Sequence, residues 1–290
     1  MKINTRENRL KVLNFLWWIP DKTMVKLQFK IAMKSKLNLK NPSTFNEKLQ
    51  WLKLYDRKKQ HTIMADKYRV RKIVKEKIGK EYLIPLLGHW DNYDNIDFSK
   101  LPNEFVLKCN HDSGSIKIVH DKSLINHNEF RKFFNQRLKQ NPYRYGREWP
   151  YKNIKPCIIA EKYMGDKDGT LPADYKFFCF DGYVDSVMIC TGRGFNTKRF
   201  FFFDKNWNLK KYNKSSQNLP DSFSLEKPKE IDYLFKLAGK LSSGEKFVRI
   251  DFYVIDGQPY FGEFTYFPAS GFDNNIMPWA DKHLGELIKL

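Results

Sequence analysis

The chain has 290 residues, is 41% hydrophobic and 16% aromatic, and carries a formal net charge of +19. That is ample for a real core, arranged as one large domain or as two to three lobes around a cleft. No run of about eighteen apolar residues occurs, so no membrane-spanning helix is expected, and the charge points to an anionic partner: a nucleotide, a nucleic acid, an anionic membrane or a polyanionic substrate.

Residues 1 to about 40 read as helical and basic. Leu10 to Ile19 is the most apolar early stretch, too short to span a bilayer and without the cleavage site of a signal peptide. The expectation is a helix docked on the core; the alternative is an interfacial helix, because Trp17 and Trp18 beside lysines suit a membrane surface. Asn41-Pro42-Ser43 breaks the pattern. Thr44-Phe45-Asn46-Glu47 has the form of a capping box, so a helix should follow with Phe45, Leu49, Leu52 and Tyr55 near helical spacing and Trp51 at the flank. His61 to Ile78 reads as one further helix closed by Gly79.

Leu83 to Leu87, with Pro85, predicts a short strand or the entry to a loop. Glu104 to Asn110 is a strand with Lys108 inside it, and Ile116 to Val119 resumes as a second. The small-residue tip between them, His111-Asp112-Ser113-Gly114-Ser115, is either that of an ordinary hairpin or one whose backbone N–H groups approach a phosphate. No G-x-x-x-x-G-K-[ST] loop is present. Leu124 to Gln140 predicts a helix, and Pro142 to Lys152 a basic, aromatic loop whose Arg144, Arg147 and aromatics could stack on or clamp an anion, or equally pack as a lid. Lys155 to Met164 is a strand, followed by a turn-rich loop with Asp166 and Asp168. Strands follow at Tyr175 to Phe180, Tyr183 to Thr191 and Phe200 to Phe203, with Gly192 to Lys198 between the last two. Residues 205–228 are polar and loop-rich, Ile231 to Leu241 is a helix, and a last helix lies near Trp279 to Leu290. Cys109, Cys157, Cys179 and Cys190 form no C-x-x-C pair, so free thiols in a reducing cytosol are expected rather than zinc.

Near the end, Phe247 to Ile255 and Tyr260 to Thr265 read as strands joined at Asp256-Gly257. Arg249, Asp251 and Glu263 interrupt them. Carboxylates in strands that otherwise look buried are costly unless paired or holding a metal, so chemistry is expected here. The whole predicts an α+β fold of antiparallel sheets with helices packed on them.

Several stretches taken together resemble the ATP-grasp superfamily, and within it the TupA-like group found with bacterial surface-polysaccharide genes. They are Thr44 to Trp51, Ala65 to Arg71, Phe105 to Gly114, Ile159 to Met164, Asp174 to Gly182, and the terminal Arg-x-Asp-Phe-Tyr with Gly-Glu-Phe-Thr. The resemblance spans about residues 42 to 290. It implies a nucleotide held between two antiparallel-sheet lobes, after a helical N-terminal region. The divisions it suggests are 1–84 for that region, 85–164 for a small lobe with phosphate flap and hinge, and 165–290 for a C-terminal lobe with a magnesium site.

The same resemblance implies roles. Lys67 and Lys108 would contact ATP phosphates beneath a flap tipped by Ser113, Gly114 and Ser115. Glu161, Lys162 and Tyr163 would border the adenine, and Asp166 or Asp168 is a candidate for the ribose. Lys176 would add a phosphate contact, Arg249 would stabilise the transferred phosphoryl group, and Asp251, Glu263 and Thr265 would hold Mg²⁺. Thr265 stands where the wider superfamily has an asparagine. The positive charge of the chain, rather than the resemblance, makes His111, Arg144, Arg147, Arg193 and Arg199 candidates for the acceptor.

Register tests the metal assignment, because opposed residues share a face in an antiparallel pair. A strict two-residue loop at Asp256-Gly257 would set Asp251 opposite Gly262 and turn Glu263 away. A three-residue connection, Asp256-Gly257-Gln258, or an equivalent bulge, pairs Asp251 with Glu263 and Arg249 with Thr265. The latter pairing is predicted.

The implied activity is an ATP- and Mg²⁺-dependent carboxylate–amine ligase working through an acyl phosphate, joining an amine to an acidic sugar of a capsule or other surface polysaccharide. The acceptor would be an anionic or lipid-linked glycan, the location the cytoplasm or the inner face of the membrane with peripheral contact. One alternative is a glycosyltransferase or a kinase acting on a surface glycan; Asp166-Lys167-Asp168 is the one D-x-D motif. Another is a nucleic-acid binder, though no RRM, KH or helix-turn-helix pattern occurs and no specific nucleic acid is expected.

Overall fold

A computed structural model describes residues 6–165, 173–191 and 199–290. In chain order the elements are α1 (Arg6–Phe15), a 3₁₀ turn (Leu16–Trp18), α2 (Asp21–Met33), α3 (Phe45–Tyr55), α4 (Lys59–Ala65), α5 (Val70–Lys77), β1 (Leu86–Trp90), β2 (Phe105–Cys109), β3 (Ile116–Val119), α6 (His127–Leu138) and α7 (Tyr143–Gly146). There follow β4 (Ile158–Lys162), β5 (Ala173–Phe180), β6 (Tyr183–Thr191), β7 (Arg199–Phe203), β8 (Leu209–Lys210), α8 (Ile231–Ser242), β9 (Val248–Ile255), β10 (Gln258–Thr265) and α9 (Pro278–Leu287). The fold is α+β, with two antiparallel sheets. The chain divides into two compact units, Met1–Met24 with Arg57–Ile73 and Ile84–Met164, and Val25–Asp56 with Val74–Leu83 and Gly165–Leu290. The helical segments before residue 84 are thus shared out between the two.

In the first unit the strands run β1-β4-β2-β3. Alternation sorts the side chains. Phe105, Leu107, Cys109, Ile158 and Ala160 point to one face, where Phe134 of α6 and Tyr93 complete a dry core. Lys108 and Glu161 therefore belong to the opposite face. Burial pushes the Cys109 and Cys157 thiols up to about 12, which leaves them unreactive near neutral pH.

The single helix expected over His61 to Ile78 is instead two, α4 and α5. Asp66 divides them. Its Oδ1 accepts from the Tyr68 N–H at 2.9 Å and the Arg69 N–H at 3.2 Å, capping a fresh start. Gly79 follows with φ +125.

The N-terminal stretch does not dock on the core as expected. No residue from Asn8 to Thr23 is fully buried. Phe15, Trp17 and Trp18 are 75%, 57% and 65% exposed. What is held is the backbone: Arg147, buried, donates to the Leu16 carbonyl at 2.8 Å and the Trp17 carbonyl at 3.0 Å.

The second unit carries the six-stranded sheet β10-β9-β5-β6-β7-β8. Phe177, Ile250 and Phe252 face α8, with Phe177 edge-on to Phe235 at 5.1 Å. The other face is divided. Phe178 and Phe247 pack on Phe45 of α3, and the residues beyond them on β5 and β9 are charged. The capping box at Thr44 is formed, with the Glu47 N–H donating to Thr44 Oγ1 at 3.3 Å and the Thr44 N–H donating back to Glu47 Oε2 at 3.3 Å. Phe45, Leu49 and Leu52 are buried along α3, but Tyr55 is exposed. Asn46 explains its place in that motif by binding Asp281 of α9 through both its N–H and its Nδ2, each at 2.9 Å.

The β9–β10 turn has two residues, Asp256 (φ +50) and Gly257 (φ +75), the pattern of a tight hairpin. Register then slips between Phe261 and Glu263, so that Asp251 pairs with Glu263 and Arg249 with Thr265. The pairing is the predicted one; the device is a bulge at Gly262 rather than a longer loop. A Cβ at Gly262 would lie 3.0 Å from the Asp251 carbonyl oxygen and 3.1 Å from the Tyr253 ring. Gly262→Ala is therefore expected to cost about 1–3 kcal/mol of stability. Thermal unfolding measures that, and a variant as stable as the parent would show that the bulge tolerates a side chain.

Candidate active site

The charged cluster of the second unit lies on β5, β9 and β10. Lys176 pairs across the sheet with Asp251, and Asp174 shares its face two residues earlier. Asp251 is 2% exposed. Its Oδ1 accepts from Arg249 Nε at 2.7 Å, and its Oδ2 from Arg249 Nη2 at 2.7 Å and Lys176 Nζ at 2.6 Å. Lys176 Nζ also lies 2.6 Å from Asp174 Oδ2. Arg249 Nη2 reaches further, to Thr265 Oγ1 at 3.0 Å and Glu263 Oε1 at 3.4 Å, and the Thr265 hydroxyl donates to Glu263 at 3.1 Å. Three oxygens, from Asp251, Glu263 and Thr265, thus converge on one cationic nitrogen.

Burial disfavours the Arg249 charge, but the Asp251 carboxylate beside it, helped by Glu263 and Asp174, more than offsets this and holds the guanidinium above its ordinary value. Burial pushes the Asp251 carboxyl up, Arg249 and Lys176 pull it back, and Glu263 and Asp174 push it up again. Glu263 is the accessible member, its side chain 37% exposed.

In the first unit the matching cluster lies on the face of its sheet opposite the apolar core. Lys108 Nζ is 2.6 Å from Glu161 Oε2, and Arg71 Nη1 is 3.3 Å from Glu161 Oε1. Arg71 also donates through Nη2 to the Ile84 carbonyl at 2.7 Å. Burial lowers the Arg71 pKa, against the pull of Glu161. The Glu161 side chain, 7% exposed, is committed to these two cations.

Lys67 stands just past α4 and donates through Nζ to the Asp112 carbonyl at 2.6 Å. Asn110 ties that junction to the sheet, its Nδ2 donating to Asp66 and to the Lys155 carbonyl, each at 3.0 Å, while its Oδ1 accepts from the Cys157 N–H at 2.8 Å. At the hairpin tip Ser113 and Gly114 are exposed. Gly114 has φ +95 and open space where a Cβ would be. Ser115 is buried, with its hydroxyl donating to Asp112 Oδ2.

The remaining candidates scatter. Lys162 is exposed, and Tyr163 meets His120 edge-on at 4.8 Å. His111 is buried, with Nε2 at 3.2 Å from the Gln140 carbonyl, and burial holds its pKa below the usual imidazole range. Arg147 is buried and its guanidinium is spent on backbone carbonyls, so neither residue offers a surface to an acceptor. Arg144 lies over Trp17, Cζ to ring centroid 5.4 Å. Arg199 is exposed at the start of β7. Asp166, Asp168 and Arg193 lie outside the described residues.

Sequence reasoning missed four contributors. Asp174 and Arg71 complete the two ion-pair clusters; Asp174-x-Lys176 was readable as a same-face pair, whereas Arg71 sits in a run that looks like a solvated helix face. Lys53 and Gln50 of α3 were also missed. Lys53, fully buried, donates to the Ser270 carbonyl at 2.7 Å, and Gln50 Nε2 to the Gly271 carbonyl at 2.5 Å. They fix the turn after β10, where Ala269 (φ +48) and Ser270 (φ +55) take left-handed backbone.

A family model described as TupA-like ATPgrasp matches residues 47–289. Among solved structures, the D-alanine–D-alanine ligase of Bacillus anthracis complexed with ATP is 17% identical, with 85% of this chain and 67% of that one covered and a TM-score of 0.45. The L-amino acid ligase of Bacillus licheniformis is 12% identical, with 88% and 57% covered and a TM-score of 0.48. The ATP-grasp ligase PsnB, complexed with a phosphomimetic precursor variant, Mg and ADP, is 10% identical, with 84% and 66% covered and a TM-score of 0.43. No curated protein matches the chain.

Proposed function

We infer the activity from one premise: the chain belongs to the TupA-like ATP-grasp family. We propose that it is an ATP-dependent carboxylate–amine ligase. The γ-phosphoryl group of ATP passes to a carboxylate, the resulting acyl phosphate is attacked by an amine, and an amide, ADP and phosphate leave. No protein nucleophile is needed, so the residues' work is positioning and charge stabilisation.

The observation that carries this reading is the convergence of Asp251, Glu263 and Thr265 on Arg249 Nη2. Among the described residues no group of three or more His, Cys, Asp or Glu is arranged to hold a metal by itself. Two carboxylates and a hydroxyl, all hard oxygen donors, suit magnesium, which commonly completes its shell with phosphate oxygens and water. Asp251, Glu263 and Thr265 would hold that ion, which when bound neutralises phosphate charge. Three carboxylates against two cations leave the cluster at net −1, and a divalent ion brings it to +1, a sign suited to a polyphosphate.

Arg249 is kept charged and fixed in orientation by its bidentate bond to Asp251, so it offers a pre-aimed donor to a transferring phosphoryl group. Lys176 is held by Asp174 and Asp251. Lys67, Lys108 and, by its N–H groups, the Ser113–Gly114 tip would meet the other phosphates, and the backbone of Lys162 and Tyr163 the adenine. Each cation already has an anionic or carbonyl partner, so meeting a phosphate exchanges partners rather than neutralising a bare charge.

The acceptor in this proposal is an acidic sugar of a bacterial surface polysaccharide, free or lipid-linked, modified in the cytoplasm. A panel of uronic sugars and amino acids tests it, reading ADP and product mass. ADP appearing only when both substrates are present, with a product heavier by the amine less water, is the expected result. A phosphorylated sugar formed without an amine would make the protein a kinase and overturn the ligase reading.

A further inference from the structure

The aromatic turn after α1 has no place in that chemistry, yet it is built with care. Leu16–Trp18 is a 3₁₀ turn whose first two carbonyls are gripped by Arg147, itself buried and in left-handed backbone (φ +56). Arg147 Nε lies 3.8 Å from Asp21 Oδ1, and Asp21 Oδ2 accepts from Tyr143 Oη and Arg57 Nη2, both at 2.6 Å. A charge-assisted network therefore fixes the backbone, while Phe15, Trp17 and Trp18 stay more than half exposed. Three large apolar side chains side by side in water are unfavourable, and a frayed terminus does not account for them here, because the backbone is tied down.

Charge indicates what covers them. The first 40 residues carry ten Lys or Arg and two Asp or Glu. Of those two, Asp21 is neutralised by Arg57. Arg144 lies over Trp17. Tryptophan beside cationic side chains is the composition that settles at a bilayer surface, rings at headgroup depth and charges on anionic lipid. A protein partner would be expected to bury the indoles against shaped apolar pockets without needing an excess of one charge.

We propose that the Phe15–Trp18 turn is a peripheral membrane anchor that seats on an anionic bilayer. No helix among the described residues is long and apolar enough to cross a membrane, so the contact is interfacial. The inference is independent of the ligase reading, since no residue of either charged cluster takes part.

Flotation of the full chain with vesicles tests it. Binding is expected to vesicles of phosphatidylcholine and phosphatidylglycerol in equal parts, to weaken as salt is raised, and to be slight on phosphatidylcholine alone. Trp18→Ser should weaken partitioning roughly tenfold, because one interfacial indole is lost. Its unfolding midpoint and its ATP turnover in solution should not change, which separates a lost anchor from a lost fold. Two results would overturn the proposal: a parent protein that stays unbound on anionic vesicles, or a Trp18→Ser protein that floats like the parent. So would an oligomer of the parent that Trp18→Ser dissolves while vesicle binding persists, which would assign the turn to contact between copies of the chain.

Discussion

Asp251→Asn should lower ATP-dependent turnover by at least about a hundredfold and cost roughly 3–5 kcal/mol of stability. The stability loss follows from burial. Asp251 is 2% exposed and accepts three short hydrogen bonds from Arg249 and Lys176. Removing its charge leaves two cations in a low-dielectric sheet with Asp174 as their remaining buried counter-charge. The turnover loss follows from the proposed metal set, which keeps one carboxylate instead of two.

Glu263→Gln separates the two effects. Its side chain is 37% exposed and its tie to Arg249 is 3.4 Å, so its stability cost should be within about 1 kcal/mol. Its turnover should nevertheless fall, with the magnesium concentration for half-maximal rate raised. Measuring denaturant unfolding and a magnesium titration on both variants checks this. If Glu263→Gln kept full activity at low magnesium, Asp251 and Glu263 would be a structural ion cluster and the metal assignment would fail.

Much of this site was legible because strands report faces. Lys108 alternates with the core residues Leu107 and Cys109, and Asp251 with Ile250 and Phe252, so a charge inside an apolar strand marks the face away from α6 in the first sheet and from α8 in the second. The hairpin register was legible, with a bulge as one of the two ways to reach it, but the position of that bulge was not. Asp256-Gly257 forms the two-residue turn its residues favour, and the correction is made five residues later at Gly262, whose closeness to the Asp251 carbonyl no spacing rule announces.

Helix partners were less legible. Arg71, Lys53 and Gln50 look like a solvated helix face until tertiary packing buries them, since intrinsic pattern says which side is apolar but not what lies beyond a polar one. The same limit misplaced the N-terminal stretch. Leu10 to Ile19 is apolar enough to dock, but none of its residues is fully buried, and Arg147 ties it through the Leu16 and Trp17 carbonyls, which have no sequence signature. The break at Asp66 was missed for a related reason: an aspartate inside a helical pattern reads as a charge, and only its bonds to the Tyr68 and Arg69 N–H groups make it a cap.

Glu161→Gln carries the second large effect, and it asks which of two jobs Glu161 has. The resemblance to ATP-grasp proteins points it at the adenine; the structure gives its two oxygens to Lys108 at 2.6 Å and Arg71 at 3.3 Å. If holding these cations is its main work, the amide leaves two half-buried charges short of an anion, and the protein without nucleotide should lose about 3 kcal/mol. ATP would then supply the missing charge, if Lys108 meets a phosphate as proposed. The rise in melting temperature on adding saturating ATP should therefore be larger for the variant than for the parent, by enough to restore at least about half of the deficit. Reading adenine predicts the opposite: a variant that binds ATP more weakly and gains less from it. Thermal shifts with ATP, and with triphosphate alone as a ligand that has no base, separate the two. Triphosphate narrowing the deficit as ATP does would place Lys108 on the phosphates. A deficit that persists or widens with both ligands would remove Lys108 from them and make the Lys108–Glu161–Arg71 cluster a structural brace of its sheet.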